Sequence, residues 1–228
     1  FSKEDTKARV LEVADILDLT DSLNKKAARL SADAKQKISL GRGLVRKDVA
    51  AILFDEPLSN IDSKLRRSMR DDIRLLQQKT GITSIYVTHD QAEALSVSDE
   101  VIVMNNGAIE QQGAPRDLYR KPKSAFVANF IGESNVVAAI LEVHGATATI
   151  SLGETTLDLD AGEVDNKPGS VKLSLRPEMF RLSEAGDPAQ NLPGNIVHSS
   201  YMGPVTEYLI STPVGELFTT DPAGDQHY

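Results

Sequence analysis

Two acidic residues and a histidine in this chain could do chemistry together. Asp55 and Glu56 come directly after the apolar run 49–54, and His89 follows the run Ile-Tyr-Val-Thr at 85–88. Beside a bound triphosphate, an aspartate can hold Mg²⁺, a neighbouring glutamate can polarise an attacking water, and a histidine can sense the γ-phosphate. These residue types, in this order, predict a phosphoryl-transfer site.

A strand–helix–strand unit must position these residues. The run 49–54 has no polar position and stops before Pro57, which predicts a central strand buried on both faces. Residues 63–79 predict a helix that stops at Thr80-Gly81, and its apolar positions are Leu65, Met69, Ile73 and Leu76. Because parallel strands of such a unit end on one edge of the sheet, we expect the acids and the histidine to converge there.

Each of these residues also has an ordinary structural interpretation. An aspartate after a strand is commonly a turn residue, and a lone histidine commonly has a structural role. The combination favours function, since Asp-Glu-Pro at 55–57, Ser-Asn-Ile-Asp at 59–62 and Thr-His-Asp at 88–90 follow in order around one unit.

These motifs resemble those of the ATP-binding subunits of ABC importers, in the branch that serves sugars, polyamines, iron and oxyanions. Residues 52–56 look like the Walker B strand with its catalytic glutamate, residues 59–62 like the D-loop, and His89 like the switch histidine. The resemblance extends over essentially the whole chain. It implies a partial P-loop-type α/β ATPase domain followed by an OB-like all-β domain.

The resemblance also implies a role for each matching residue. Glu56 and His89 are expected to be catalytic, Asp55 to bind the metal, and Ser31 and Asp62 to belong to the nucleotide-binding set. The implied cofactors are ATP and Mg²⁺. The implied partners are a second ATPase subunit in a homodimer and transmembrane permease subunits, with the protein peripheral on the cytoplasmic face of the inner membrane.

The signature motif of that family is degenerate here. Residues 30–34 read Leu-Ser-Ala-Asp-Ala where the family has Leu-Ser-Gly-Gly-Gln. Ala32 adds a Cβ where the backbone must approach phosphate, and Asp33 adds a negative charge, so we expect this half-site to be badly weakened. Ser31 could also cap the helix predicted over 32–45, a role that is compatible with phosphate binding.

The phosphate-binding loop of the family is absent. Residues 1–228 contain no Gly-x-x-x-x-Gly-Lys-Ser/Thr, and the chain begins at Phe1 inside what the resemblance makes one domain. The expectation is therefore a fragment that is inactive alone. The alternative is a relative that naturally lacks these parts and does not hydrolyse ATP.

Composition narrows the classes of protein further. With 40% hydrophobic residues, a mean hydropathy of -0.24 and no long apolar run, the sequence predicts no membrane span. No cysteine is present, which excludes disulfides, thiolate nucleophiles and cysteine metal sites.

Charge is distributed unevenly and suggests a domain boundary near residues 121–123. Residues 1–123 hold 21 Lys and Arg against 19 Asp and Glu, whereas residues 124–228 hold 4 against 14. We expect a partial ATPase domain over 1–123, with a helical subdomain at 1–45 and the Walker B region to a hairpin at 49–113. The acidic second half argues against nucleic-acid binding.

The second half is expected to be all-β after a linker helix. Apolar residues recur with a period of two in short runs broken by Gly, Pro and Asp, at 137–141, 148–152, 171–175 and 205–210. That pattern is typical of a small β-barrel or sandwich. We place the last strand near 216–219 and a loop from Asp221 onward, which makes the barrel incomplete.

Shorter signals predict the remaining elements. Residues 1–19 favour a helix with Val10, Val13, Ala14 and Leu17 on one face and charged residues on the other. Residues 90–93 form a capping-box sequence for a helix ending near Val97, and Asn-Asn-Gly at 105–107 predicts a hairpin turn. Two more short helices are expected at 115–120 and 124–131.

Two functions from other classes stay open beside the importer ATPase. One is a non-hydrolytic regulatory protein built on the same fold, which the altered signature at 30–34 supports. The other is an ABC-type ATPase unrelated to transport, which the C-terminal β-domain disfavours.

Overall fold

A computed structural model describes residues 2–46, 49–59, 61–164, 167–183 and 191–222 of the chain. The chain divides into two compact units, Phe1–Val101 with Gly113–Arg116 and Ile102–Gln112 with Asp117–Tyr228. The boundary expected at residue 123 stays a prediction.

Helices and a pair of parallel strands form the first unit. In chain order they are α1 (Lys3–Ile16), α2 (Ala32–Leu44), β1 (Ile52–Asp55), α3 (Ser63–Thr80), β2 (Ser84–Val87) and α4 (Gln91–Val97), with 3₁₀ turns at Thr20–Ser22 and Ala27–Arg29. β1 pairs with β2 in parallel, from Ile52 opposite Ser84 to Asp55 opposite Val87. The predicted strand–helix–strand unit is confirmed.

Local sequence signals explain the bounds of α3. The side chain of Asp62 accepts a hydrogen bond from the Leu65 N–H at the start of the helix, and Gly81 ends it with φ of 63°. The fully buried apolar residues of α3 are Met69, Ile73 and Leu76. This stripe packs into the core of the first unit, as its helical spacing predicts.

The apolar face predicted for residues 1–19 is only partly buried. Val13, Ala14 and Leu17 are buried, whereas Val10 is 36% exposed. Helical spacing groups residues on a face, but the width of the contact with α2 decides how much of that face is covered.

The expectation that the first strand is buried on both faces is wrong. Ile52 and Phe54 are buried at 7% exposure, whereas Leu53 is 75% exposed, and on β2 Ile85 and Val87 are each 53% exposed. Successive side chains of a strand point to opposite faces, and the core of this unit covers one of them. Residues 49–51 precede the strand, which begins at Ile52.

The second unit is mostly antiparallel sheet. The elements that lie wholly or mostly in this unit are, in chain order, β3 (Val101–Asn105), β4 (Ala108–Gly113), α5 (Pro115–Arg120), α6 (Ala125–Phe130), β5 (Asn135–His144), β6 (Thr147–Leu152), β7 (Thr155–Asp160), β8 (Gly169–Leu175), β9 (Asn195–Tyr201), β10 (Thr206–Thr212) and β11 (Gly215–Asp221). Two 3₁₀ turns lie at Ala161–Glu163 and Pro177–Met179. The sheets run β3-β4, β7-β6-β5-β8 and β11-β10-β9.

Most of the predicted β-pattern is confirmed in these sheets. The runs 137–141 and 148–152 lie on β5 and β6 with buried apolar positions, and the run 171–175 lies on β8 against the same core. The hairpin around 105–107 and the helices predicted at 91–97, 115–120 and 124–131 also form. The fold class is as expected, a parallel α/β part followed by an all-β part.

Three features of the β-part differ from expectation. β7 and β9 were not recognised, because their residues are largely exposed and give no buried apolar alternation. Asp221, expected in a loop, is the last residue of β11 and lies opposite Thr206 of β10.

A buried arginine ties the short helices of this unit to its sheets. The Arg176 guanidinium donates hydrogen bonds to the carbonyls of Ala128 (2.8 Å), Glu133 (2.9 Å) and Tyr119 (2.9 Å). It also lies 4.1 Å above the Tyr119 ring, and Arg176 as a whole is only 5% exposed. The Tyr119 hydroxyl donates to the Glu178 carboxylate. Burial, together with that carboxylate, raises the pKa of Tyr119.

Candidate functional site

The two acids lie at the carboxyl end of β1. Asp55 is the last residue of the strand, opposite Val87, and the Glu56 N–H donates to the Val87 carbonyl at 2.9 Å. Glu56 has φ of 45°, in the left-handed region that side chains other than glycine seldom adopt. The backbone therefore turns sharply at Glu56 and leaves both carboxylates exposed at the edge of the sheet.

His89 comes to this edge from the end of β2. Its Nδ1 lies 3.1 Å from Glu56 Oε1, and the two side chains are 73% and 46% exposed. At that distance a protonated Nδ1 donates a hydrogen bond to the carboxylate. The structure thus joins Glu56 to His89, with Asp55 adjacent in the chain.

The loop after Glu56 is anchored from three directions. Leu58 is fully buried, and the Ser59 N–H and hydroxyl donate to the Glu56 carbonyl at 3.3 and 3.1 Å. From α2, Gln36 Nε2 donates to the Pro57 carbonyl at 2.8 Å. Gln36 carries no motif that would have singled it out in the sequence.

Asp62 caps α3 and is exposed. Its role at the start of a helix was not part of the sequence-based expectation, which assigned it to the nucleotide-binding set. Asn60, a member of the D-loop-like segment 59–62, lies outside the described residues.

Ser31 caps α2, which confirms the structural interpretation of that residue. Its Oγ accepts a hydrogen bond from the Ala34 N–H at 3.1 Å. Among the contacts of the described residues, none joins Ser31 to Glu56 or His89.

The charge of Asp33, next in α2, has a cation near it. Lys37 Nζ lies 4.0 Å from Asp33 Oδ2 and 3.0 Å from Asp72 Oδ2 of α3. Burial lowers the pKa of Lys37, but the hydrogen bond and charge of Asp72, with the charges of Asp33 and Asp18, raise it above its ordinary value. Lys37 thus partly offsets the negative charge expected to repel a phosphate.

A buried polar network lies behind His89 and was missed by the sequence analysis. Glu93 is 2% exposed, and its Oε2 accepts from the Thr88 hydroxyl at 2.9 Å and the Tyr86 hydroxyl at 3.0 Å. Arg66 Nη1 donates to Asp90 Oδ2 at 3.1 Å. The signal that could have found it is a glutamate on the inner face of α4.

The capping box expected at 90–93 is only half correct. Asp90 Oδ1 accepts from the Glu93 N–H at 3.1 Å and so caps α4. The Glu93 carboxylate instead turns inward to Tyr86 and Thr88, and the Asp90 N–H donates to the Thr88 hydroxyl. The two hydroxyl donors therefore satisfy the buried Glu93 carboxylate, and Thr88 satisfies the Asp90 N–H.

The network shifts two pKa values. Burial raises the pKa of the Asp90 carboxyl, but hydrogen bonds from the Glu93 N–H and the Arg66 guanidinium outweigh it, and the net pKa is lowered. Burial, with the charge and hydrogen bond of Glu93, raises the pKa of Tyr86. Asp90 is therefore held as a carboxylate and Tyr86 as a phenol.

Comparison with known proteins shows what this chain is similar to. A family model described as "TOBE domain" matches residues 173–227 of this chain. An Fe(3+) ions import ATP-binding protein, FbpC 1 of Rhizobium meliloti, is 41% identical over 222 residues, covering 97% of this chain and 62% of that protein. FbpC of Brucella melitensis is 41% identical over 228 residues, covering 99% of this chain and 63% of that protein.

The chain is similar in sequence to Fe(3+) ions import ATP-binding proteins over nearly all of its length. A third relative, FbpC of Mannheimia succiniciproducens, is 43% identical over 203 residues, covering 89% of this chain and 56% of the relative. The chain spans a little over three fifths of the length of the first two relatives. A solved structure titled as the ADP conformation of MJ1267, an ATP-binding cassette of an ABC transporter, aligns with a TM-score of 0.47 and 24% identity, covering 58% of this chain and 52% of that one.

Two structural findings concern membranes and metals. In the described ranges, every helix is too short or too polar to cross a bilayer. Within those same ranges, His, Asp and Glu side chains form no group of three or more that could hold a metal ion. Asp55 therefore offers one carboxylate, not a complete protein site for a metal.

Proposed function

We propose that this chain is the catalytic-edge part of an ATP-hydrolysing subunit that drives solute import through a membrane permease. The observation that carries the proposal is the 3.1 Å contact between His89 and Glu56 beside Asp55, at the carboxyl edge of a parallel strand pair. Open α/β sheets bind ligands at this edge. The similarity to import ATP-binding proteins over nearly all of the chain supports it.

The residues present fit a Mg²⁺ ion that is held jointly by the protein, the substrate phosphates and water. Mg²⁺ in phosphoryl-transfer sites is usually held by one or two carboxylates together with substrate phosphates and water. Asp55, exposed at the end of β1, supplies one such carboxylate. Bound there, Mg²⁺ would neutralise charge on the phosphates.

Binding of ATP needs hydrogen-bond donors that the motifs described above do not supply. Residues 1–228 contain no glycine-rich phosphate loop, which supplies most backbone N–H groups to the β- and γ-phosphates in P-loop proteins. We therefore propose that ATP is bound jointly with another segment or subunit. Under this proposal, the described edge contributes the groups that act on water and on the γ-phosphate side.

Glu56 is the proposed acceptor for the proton of the attacking water. Its carboxylate is half-exposed, and one oxygen lies against His89 Nδ1, which leaves the other free to accept a hydrogen bond from water. His89 orients Glu56 and presents its second ring nitrogen for the γ-phosphate. The turn at Glu56, with φ of 45°, directs the carboxylate away from the sheet.

The proposed partners follow from the sequence motifs and the relatives. Asp62, at the start of α3, is proposed to communicate with a second ATPase subunit, and Ser31, at the start of α2, to approach nucleotide held by that subunit. We propose a homodimer docked on permease subunits at the cytoplasmic face of the inner membrane. Since the relatives are named for Fe(3+) import, ferric iron is the proposed solute.

Glu56→Gln tests this function in the full-length natural protein that carries this chain. The amide keeps the shape but cannot accept the proton, so steady-state phosphate release is expected to fall about a hundredfold or more while Mg-ATP still binds. Glu100→Gln, an exposed glutamate after α4, is the matched control and should match the parent. Equal turnover in the parent and Glu56→Gln contradicts the proposed role.

A second candidate function is a non-hydrolytic regulator, and Asp33 is the observation that favours it. Its charge lies in the first turn of α2, where the family's signature has glycine, and Lys37 at 4.0 Å offsets it only partly. A folded full-length parent that binds Mg-ATP without releasing phosphate would select this candidate over the ATPase.

A further inference from the structure

His89 has an exposed ring, but its neighbours in the chain are firmly held. The ring is 73% exposed, and the described contact that fixes it is the one to Glu56. On either side of it, the side chains of Thr88 and Asp90 are bonded into the buried network. The position of the ring is therefore set by residues that do not themselves face the site.

Glu93 fixes the residue before His89. Its buried carboxylate accepts from the Thr88 hydroxyl, and the Thr88 oxygen in turn accepts from the Asp90 N–H at 3.0 Å. A buried carboxylate needs such donors, because an unpaired charge inside a protein is very costly. Thr88 and the Asp90 backbone are thus locked to the inner face of α4.

Arg66 fixes the residue after His89 and, at the same time, the segment before Asp62. Nη1 donates to Asp90 Oδ2, and Nη2 donates to the Ile61 carbonyl at 3.0 Å. The planar guanidinium makes both bonds in fixed directions, which the single ammonium of lysine does not reproduce. One side chain thus joins a residue adjacent to His89 with a residue adjacent to Asp62.

The remaining guanidinium nitrogen of Arg66, Nε, lies near Glu93. This Nε is buried without a hydrogen-bond partner in the described residues and lies 3.9 Å from Glu93 Oε1. At this distance the two groups attract as charges without sharing a hydrogen bond. Arg66 therefore holds Asp90 by a direct bond and lies beside the buried side chain of Glu93.

We propose that Arg66 is a positioning residue that sets His89 relative to Asp62, with Glu93 supporting the same geometry from beneath. The proposal rests on the proposed ATPase function, in which Asp62 faces the second subunit and His89 faces the γ-phosphate. Through the Ile61 carbonyl and the Asp90 carboxylate, a displacement of the D-loop-like segment moves the histidine that contacts Glu56. Arg66 then couples the subunit interface to the catalytic edge.

Arg66→Lys is the first variant, and the exposed neighbour Arg67→Lys is its matched control. In the full-length protein, Arg66→Lys is expected to lower kcat about tenfold with the KM for ATP within about twofold, because His89 is misplaced while nucleotide contacts remain. Arg67→Lys should match the parent. An unchanged kcat in folded Arg66→Lys overturns the proposal.

Asp90→Asn is a second variant that keeps the fold testable. Asparagine still accepts from the Glu93 N–H as a helix cap, but it no longer offers Arg66 a full carboxylate. If Arg66 acts through Asp90, the double variant Arg66→Lys/Asp90→Asn loses no more kcat than the more impaired single variant. Fully multiplicative losses show independent effects and overturn the proposed path.

A readout without hydrolysis separates this proposal from the proposed function. In the full-length protein without nucleotide, the side-chain NMR signals of the His89 ring are expected to move in Arg66→Lys and Asp90→Asn and to stay in place in Arg67→Lys. Unmoved His89 signals overturn the positioning role whatever the ATPase result. Moved signals support it even if the full-length parent releases no phosphate, a result that would refute only the ATPase function.

Discussion

Replacing Arg176 by methionine is expected to release α5 and α6 from the β-sheets of the second unit. Methionine keeps an unbranched apolar stem but removes the guanidinium that donates to the carbonyls of Tyr119, Ala128 and Glu133. It also removes the cation from the face of the Tyr119 ring. Three backbone acceptors then lose their partner at once.

The size of the effect follows from the burial of these groups. A hydrogen bond from a charged donor contributes about 1.5–3 kcal/mol, and a buried acceptor left unpaired costs a similar amount. Glu133 is exposed, so its carbonyl regains water easily, whereas Ala128 is 1% exposed and its carbonyl does not. A net local loss of about 3 kcal/mol is expected, which raises the opening equilibrium roughly a hundredfold.

Amide hydrogen exchange followed by mass spectrometry measures this opening. Peptides covering α5 and α6 are expected to exchange roughly a hundredfold faster in Arg176→Met than in the parent, since exchange of protected amides follows local opening. Arg181→Met changes an exposed arginine five positions away and serves as the control. Exchange in α5 and α6 that matches the parent would show that the three carbonyls find other partners, and would refute the reasoning.

Two further predictions concern α2. Gly41→Ala places a Cβ 2.9 Å from Leu17 Cδ1, a buried atom, so it should lower stability by about 1–3 kcal/mol in thermal unfolding, whereas Gly43→Ala, with its nearest contact at 3.7 Å, should not. Since the pKa of Lys37 is raised by its pairing with Asp72, the stability it contributes is present at neutral pH and is lost as pH rises through the raised value. Urea unfolding should therefore show a steeper alkaline decline in the parent than in Lys37→Met, and parallel profiles would contradict this.

Sequence reasoning was most successful where the signals are local. The stop of α3 at Gly81 and the apolar stripe before it were predicted from one stretch of chain, whereas the cap at Asp62 was not. The exposure of Leu53 could not be predicted, because it depends on what covers the other face of the sheet. β9 escaped recognition because burial is the signal that marks a strand, and its side chains are mostly exposed.

The part of the candidate site that depends on local signals was also predictable. Parallel pairing brings Glu56 and His89 to one edge, and the order of the motifs in the sequence indicates this arrangement. The supporting residues were not predictable, because Gln36 and Arg66 reach partners 21 and 24 positions away through side chains. Glu93 was recognised as a helix-start residue, but its burial under Thr88 depends on the packed sheet.

The left-handed backbone at Glu56 also bears on how this position can evolve. Such a conformation costs a residue with a Cβ roughly 1–2 kcal/mol. Glycine does not pay this cost, and asparagine adopts the conformation more readily than most other residues. Stability alone thus favours losing the carboxylate, and only selection for activity keeps a glutamate there. In a lineage released from that selection, position 56 is where drift towards glycine or asparagine would first record the loss.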